Sequence, residues 1–203
     1  MTRVLTALAM STFLSVLATT SSAQDDQGQM VRGMGALGCD VLVDTLQGDQ
    51  ASEAATRLMA WLSGYVSHAN RATTGTFDVV PYTTMEEFAT VVARLCASNP
   101  QAQVEAATGA ALRMLTPLAV DGPSDAVELE SGDNRLIMRT SVLQAIQQRL
   151  IARDLLPDSS ADGIFGAQTA EALAAFQEQA GLQVTGMPDA WTVFVLTAMD
   201  GQP

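Results

Sequence analysis

Lysine is absent: all ten basic residues are arginine, and 22 acids oppose them. Setting aside the leader described below removes Arg3, which leaves nine arginines against 22 acids, a net charge of −13. So acidic a chain is repelled by nucleic-acid backbones and by anionic lipid surfaces, which argues against nucleic acid as a partner. Histidine occurs once, as His68. A single imidazole supplies neither the ligand set of a zinc centre nor, with both cysteines otherwise engaged, a cysteine–histidine pair. No metal or cofactor is therefore expected. Long hydrophobic runs are missing as well. The most apolar stretch, at the amino end, falls short of the roughly 20 residues a membrane span needs and is interrupted by Thr and Ser.

What is present at that end is the layout of a cleavable secretory leader. Arg3 is followed by an apolar run through Val4, Leu5, Leu8, Met10, Phe13, Leu14, Val16 and Leu17, then by small residues Ser21, Ser22 and Ala23. Residues 1–23 are expected to be removed, leaving Gln24 as the new terminus and no membrane anchor. Cysteine is missing from the cleavage point, which argues against a lipid-modified terminus. The expected location is the periplasm. Two cysteines in an exported chain, Cys39 and Cys96, are most simply a disulfide, because the compartment is oxidising and an even count leaves no thiol over.

Apolar residues then recur at helical spacing. Met34, Leu37, Val41, Leu42 and Leu46 define a first helix; Ala54, Leu58, Trp61, Leu62, Tyr65 and Val66 define a second, from about residue 49 to 70. Residues 71–82 break the pattern and read as a loop with a short extended piece at 76–80. Thr84 stands three residues before Glu87, the capping-box spacing, and predicts a third helix to about Ser98. Asn99-Pro100 reads as an N-cap and first-turn pair opening a fourth helix that ends before Pro117. Trp61, Tyr65 and His68 share one helical face, either as a partner-binding or sugar-stacking strip or, as we favour, as core packing. Adjacent Glu86 and Glu87 point about 100° apart on a helix and do not converge as a glycosidase pair must; first-turn acids account for them.

Residues 118–138 hold five acids against Arg135, with Gly122, Pro123, Ser124 and Gly132, and read by composition as an acidic linker. Beyond it, residues 139–203 read helix, loop, helix, turn, helix. The apolar sets are Leu143, Ile146, Leu150 and Ile151; Ala170, Leu173, Ala174 and Phe176; and Trp191, Val193, Val195 and Leu196. One apolar side on each predicts a three-helix bundle. The expected fold class is all-α: a disulfide-closed helical domain over residues 30–117, the linker, and the bundle.

The bundle carries a ladder of residues: Ile146-Gln147 with Leu150, Asp162-Gly163-Ile164-Phe165-Gly166, Thr169, Ala172-Leu173, Phe176-Gln177, Gly181-Leu182, Thr185-Gly186, then Thr192 and Leu196. This ladder resembles the peptidoglycan-binding domain of the three-helix type, in order and in interval. Asp154 departs from the family, which has a Gly closing the first helix. The resemblance implies that peptidoglycan is the ligand. On it, Gln147 and Gln177 are expected to tie helices to loops, with Phe165, Phe176 and Leu182 in the core. Ligand contact is assigned to the Asp162–Thr169 loop, through Asp162, Gly163, Ile164, Gly166 and Thr169, where amides at a helix start could meet a stem-peptide carboxylate; Asp162 and Thr169 read equally well as caps.

Residues 30–117, with Cys39, Trp61-Leu62-Ser63-Gly64-Tyr65, Cys96 and Asn99-Pro100, resemble small periplasmic helical domains of the HdeA-type acid-stress chaperones and of type VI secretion immunity proteins. That resemblance implies a protein partner. The resulting expectation is a non-catalytic cell-envelope protein that holds a protein-binding domain at the wall. The alternatives are a wall hydrolase or lytic enzyme, and an interaction module that no longer binds glycan. A zinc amidase, a cysteine transpeptidase and a serine hydrolase with a Gly-x-Ser-x-Gly elbow each lack their residues here. A carboxylate-only transglycosylase would need a larger helical domain than residues 30–117 provide.

Overall fold

Seven α-helices and one β-hairpin make up the structure, a computed structural model that describes residues 30–132 and 134–200. The expected leader, residues 1–23, lies outside the described residues. After a short 3-10 turn come α1 (Cys39–Gln47) and α2 (Ala51–Ala72). Ala54, Leu58, Leu62 and Val66 form the buried edge of α2 at four-residue steps, so its remaining surface is free to carry polar side chains. α3 (Met85–Ser98) opens with the predicted capping box: Thr84 Oγ1 accepts from the Glu87 amide, and the Glu87 carboxylate accepts from the Thr84 amide. The Cys39–Cys96 disulfide joins the start of α1 to the end of α3.

The fourth helix starts later than Asn99-Pro100 suggests, as α4 (Val104–Leu115). Asn99 instead closes α3, its side-chain amide donating to the Leu95 carbonyl. The reason is tertiary. The intervening backbone pairs with the chain around the start of α1: the Cys39 amide donates to Ala102 O, the Asp40 amide to Pro100 O and the Val104 amide to Leu37 O. Those partners satisfy groups that a helix would otherwise have satisfied internally. The extended piece expected within residues 71–82 is present, pairing Asp78 with Val120.

Between α4 and the bundle, where composition suggests a linker, the chain forms an antiparallel hairpin. Strand β1 (Ala126–Ser131) pairs with β2 (Asn134–Arg139), with Val127 opposite Met138 and Leu129 opposite Leu136. Period-two alternation explains it: Leu129 and Met138 are buried, while Glu128 and Glu130 point out and share Arg135. The acids are the solvent face of a strand rather than the content of a flexible tether.

The bundle follows as α5 (Thr140–Ile151), α6 (Ala167–Gln179) and α7 (Ala190–Asp200). Asp154 takes φ +58°, so the backbone keeps the left-handed geometry that glycine supplies in the family, at a cost of about 1 kcal/mol for a side chain. Its amide donates to Ile151 O and that of Leu155 to Leu150 O, which ties off α5. Helix α7 departs from the one-sided pattern. From Ala190 to Met199 it carries no charge, and its polar residues Thr192 and Thr197 are both buried. It is apolar all round because it is covered on several sides, packing on α5 and also on α3 and α4. The described residues from Val31 onward are accordingly one compact unit, and a single core runs from Cys39 to Leu196.

Candidate functional site

Two buried glutamines organise the loops of the bundle. Gln147, on the inner side of α5, is 1% exposed. Its Nε2 donates to Ile164 O (2.9 Å), to Asp162 Oδ1 (3.1 Å) and to Thr169 Oγ1 (3.2 Å), and its Oε1 accepts from the Gly163 amide at 2.7 Å. Gln144, one turn earlier, donates to Ala161 O. A primary amide is the side chain for this task, because it presents donors and an acceptor together to a chain reversing direction. Gly163 takes φ +74°, and a Cβ there would come within 2.7 Å of the Thr140 side chain. Both the backbone angle and the space therefore require glycine.

The same construction is repeated one helix later. Gln177 of α6 is fully buried; its Nε2 donates to Met187 O, Thr192 Oγ1 and Thr185 Oγ1, and its Oε1 accepts from the amides of Thr185 and Gly186. Gly186 takes φ +66°, where a Cβ would meet the Ala170 carbonyl at 3.0 Å. Asp162-Gly163 stands seven residues before Thr169, as Thr185-Gly186 stands seven before Thr192. The unit glutamine, turn, helix thus occurs twice, with α6 closing the first copy and opening the second. The role expected for both glutamines, tying helices to loops, is what these bonds show.

The two copies differ at the start of the helix they deliver. In the second, Asp189 caps α7: its Oδ1 accepts from the amides of Trp191 and Thr192, and its Oδ2 from the Thr192 hydroxyl. In the first, Gly166 occupies the equivalent place and α6 has no side-chain cap. Of the residues assigned to ligand contact, Gly163 and Thr169 are buried within the glutamine network, whereas Asp162, Ile164 and Gly166 face solvent. Ile164 is 68% exposed. The Asp162 carboxyl is held below its ordinary value, first by the Ile164 amide and then by Gln147. It is therefore charged across the neutral range, with Oδ1 already engaged. Phe176 is core, while Phe165 and Leu182 are half-buried at its edge.

In the amino-terminal half, Trp61 and Tyr65 are half-buried rather than core residues as expected, with Trp61 packed against the core. The indole donates to Arg32 O, the Tyr65 phenol donates to Glu105, and the rings lie 5.1 Å apart. His68 on the same helix is exposed. Glu87 is committed to its capping box, and among the described residues no group of histidine, cysteine and acidic side chains could hold a metal ion. No described helix is long and apolar enough to cross a membrane.

No curated protein and no solved structure matches the chain significantly. The likeness of residues 30–117 to HdeA-type chaperones and immunity proteins thus finds no support from comparison. Residues 139–196, the stretch that holds the two glutamine-centred turns, match the family model described as "Putative peptidoglycan binding domain".

Proposed function

We propose that this is an exported, non-catalytic cell-envelope protein that binds peptidoglycan through its carboxyl-terminal bundle. The observation that carries the reading is the family match over residues 139–196, whose signature residues build the two turns described above. The disulfide supports an oxidising compartment, in keeping with the leader expected at residues 1–23 and a periplasmic site of action. Contact is assigned to the exposed part of the first loop: Asp162, Ile164, Gly166 and the uncapped amides that open α6, with Gly163 and Thr169 holding its shape. An apolar residue beside unpaired amides suits a stem peptide, which presents methyl groups and carboxylates together.

A protein-binding role for residues 30–117 is the finer part of the proposal. The packing of α7 on α3 and α4 favours a simpler assignment, in which these helices support the wall-binding bundle directly. Co-sedimentation of the chain from residue 24 onward with purified sacculi tests the main reading, with released fragments assayed in parallel. Retention without release is expected, and I164D should weaken it. Failure to sediment sinks peptidoglycan binding, and fragment release sinks the non-catalytic assignment.

A further inference from the structure

Away from the first loop, a cleft of about 490 Å³ lies between α3, the hairpin and the second loop of the bundle. Half of its lining belongs to no part of the matched family. Along α3, Glu86, Thr90 and Arg94 follow at four-residue steps and form one exposed wall. Arg135 of β2 and Gln183 and Trp191 from the bundle complete it.

Most charges in the cleft are already engaged. Glu87 accepts from the amides that open α3, Asp189 is the cap of α7, and Arg135 is paired with Glu128 and Glu130. Glu86 and Arg94 enter no salt bridge among the described residues. The Arg94 guanidinium instead lies over the Trp191 ring, 5.3 Å from its centroid, which fixes it at the wall without neutralising it. Trp191 is in turn stacked on Phe194, so the platform beneath the cation is firm. The cleft thus offers one unpaired anion and one unpaired, pre-positioned cation, eight helical residues or about 12 Å apart.

We propose that this cleft takes a short zwitterionic peptide, the stem peptide of peptidoglycan. A free ammonium would lie at Glu86 and a carboxylate at Arg94, with Gln183 and the Thr90 hydroxyl oxygen, whose hydrogen is given to the Glu86 carbonyl, available to backbone groups between them. The proposal rests on the peptidoglycan reading and extends it to a second, composite subsite. It gives the amino-terminal helices a role, since α3 supplies the charged wall.

The test uses the chain from residue 24 onward, a soluble disaccharide-tetrapeptide released from sacculi, the disaccharide without peptide, and intact sacculi. E86Q and R94Q alter exposed helix positions, and a thermal melt checks that both retain the fold. Each should weaken binding of the disaccharide-tetrapeptide about tenfold, the scale of one lost charge-assisted hydrogen bond. R57Q, on the exposed side of α2, should leave it unchanged. If the unaltered chain sediments with sacculi but E86Q and R94Q bind the disaccharide-tetrapeptide as well as it does, the cleft proposal is overturned and the wall-binding reading stands. Equal affinity for the peptide-free disaccharide overturns the peptide assignment. Absence of sacculus binding by the unaltered chain overturns both.

Discussion

The phenol of Tyr82 donates a 2.9 Å hydrogen bond to the carbonyl of Ala190, 108 residues away in sequence. Tyr82 precedes α3 and Ala190 opens α7, so the bond fastens the bundle to the amino-terminal helices within one core. Burial raises the Tyr82 ionisation well above its ordinary value, with the nearby carboxylates of Glu87 and Asp189 adding to the effect. Tyr65, the other tyrosine, is raised to about 12, by burial first and then by its bond to Glu105. Both phenols therefore stay protonated in the folded chain at pH values where an unfolded chain ionises. The sign follows: this contribution to stability is complete below the ordinary phenol value of 10.0 and is lost as pH rises above it. Absorbance at 295 nm should show almost no phenolate at pH 10.5 in the native protein and its appearance on adding denaturant. A native titration with a midpoint near 10 for either tyrosine contradicts the described packing. Tyr82→Phe should cost about 1 kcal/mol, the net worth of one hydrogen bond, because the Ala190 carbonyl keeps its intrahelical partner as the first residue of α7.

A bundle cut out at residue 139 should be a poor protein. Helix α7 has no charge between Ala190 and Met199, and excision strips away α3 and α4, which cover part of it. Residues 139–203 alone are expected to melt at lower temperature than the intact chain and to bind a hydrophobic dye. Equal melting temperatures and no dye binding would show that the bundle is self-sufficient and that its docking is incidental.

What could be read in the sequence was largely local. The Thr84–Glu87 cap spans four residues and was legible from spacing alone. The glutamine turns were legible because family spacing carries them, although the repetition of the unit at Gln177, Gly186 and Thr192 was equally open to inspection. The hairpin was hidden by averaging: over residues 118–138 the acids dominate composition, while the decisive alternation of Val127 and Leu129 with Glu128 and Glu130 is short. The start of α4 was misread because Asn99-Pro100 is a sound local signal overruled by backbone partners near Cys39. The all-round apolarity of α7 was the available sign that the bundle does not stand alone.

Reduction should expose how much the amino-terminal helices depend on their cross-link. Cys39 and Cys96 are 57 residues apart, a loop for which the chain-entropy relation gives about 4 kcal/mol. Both cysteines are fully buried, so reductant gains access only when the region opens. In native buffer, thiol release should follow the opening rate and stay independent of dithiothreitol at high concentration. Once reduced, the denaturation midpoint should fall markedly. An unchanged midpoint would mean that the bridge contributes nothing to the folded state.

The glutamine turns permit a test in which the charge itself is the readout. Gln177→Ala removes donor and acceptor together and should cost about 3 kcal/mol, the scale of losing a buried hydrogen-bond network, with little dependence on pH. Gln177→Glu keeps an acceptor for the amides of Thr185 and Gly186 but turns a carboxylate toward the Met187 carbonyl, with Asp189 Oδ2 only 3.5 Å from the original Nε2. Burial and a like charge would both raise that carboxyl above the ordinary glutamate value of about 4.3. The neutral form can donate to one of the vacated acceptors, so the variant's deficit relative to the parent should be smallest below pH 4 and grow as pH rises toward 7. Urea unfolding of both variants and the parent at pH 4 and pH 7 measures it. A deficit for Gln177→Glu that is equal at the two pH values would mean that solvent reaches this position, and that the second turn is looser than its hydrogen bonds imply.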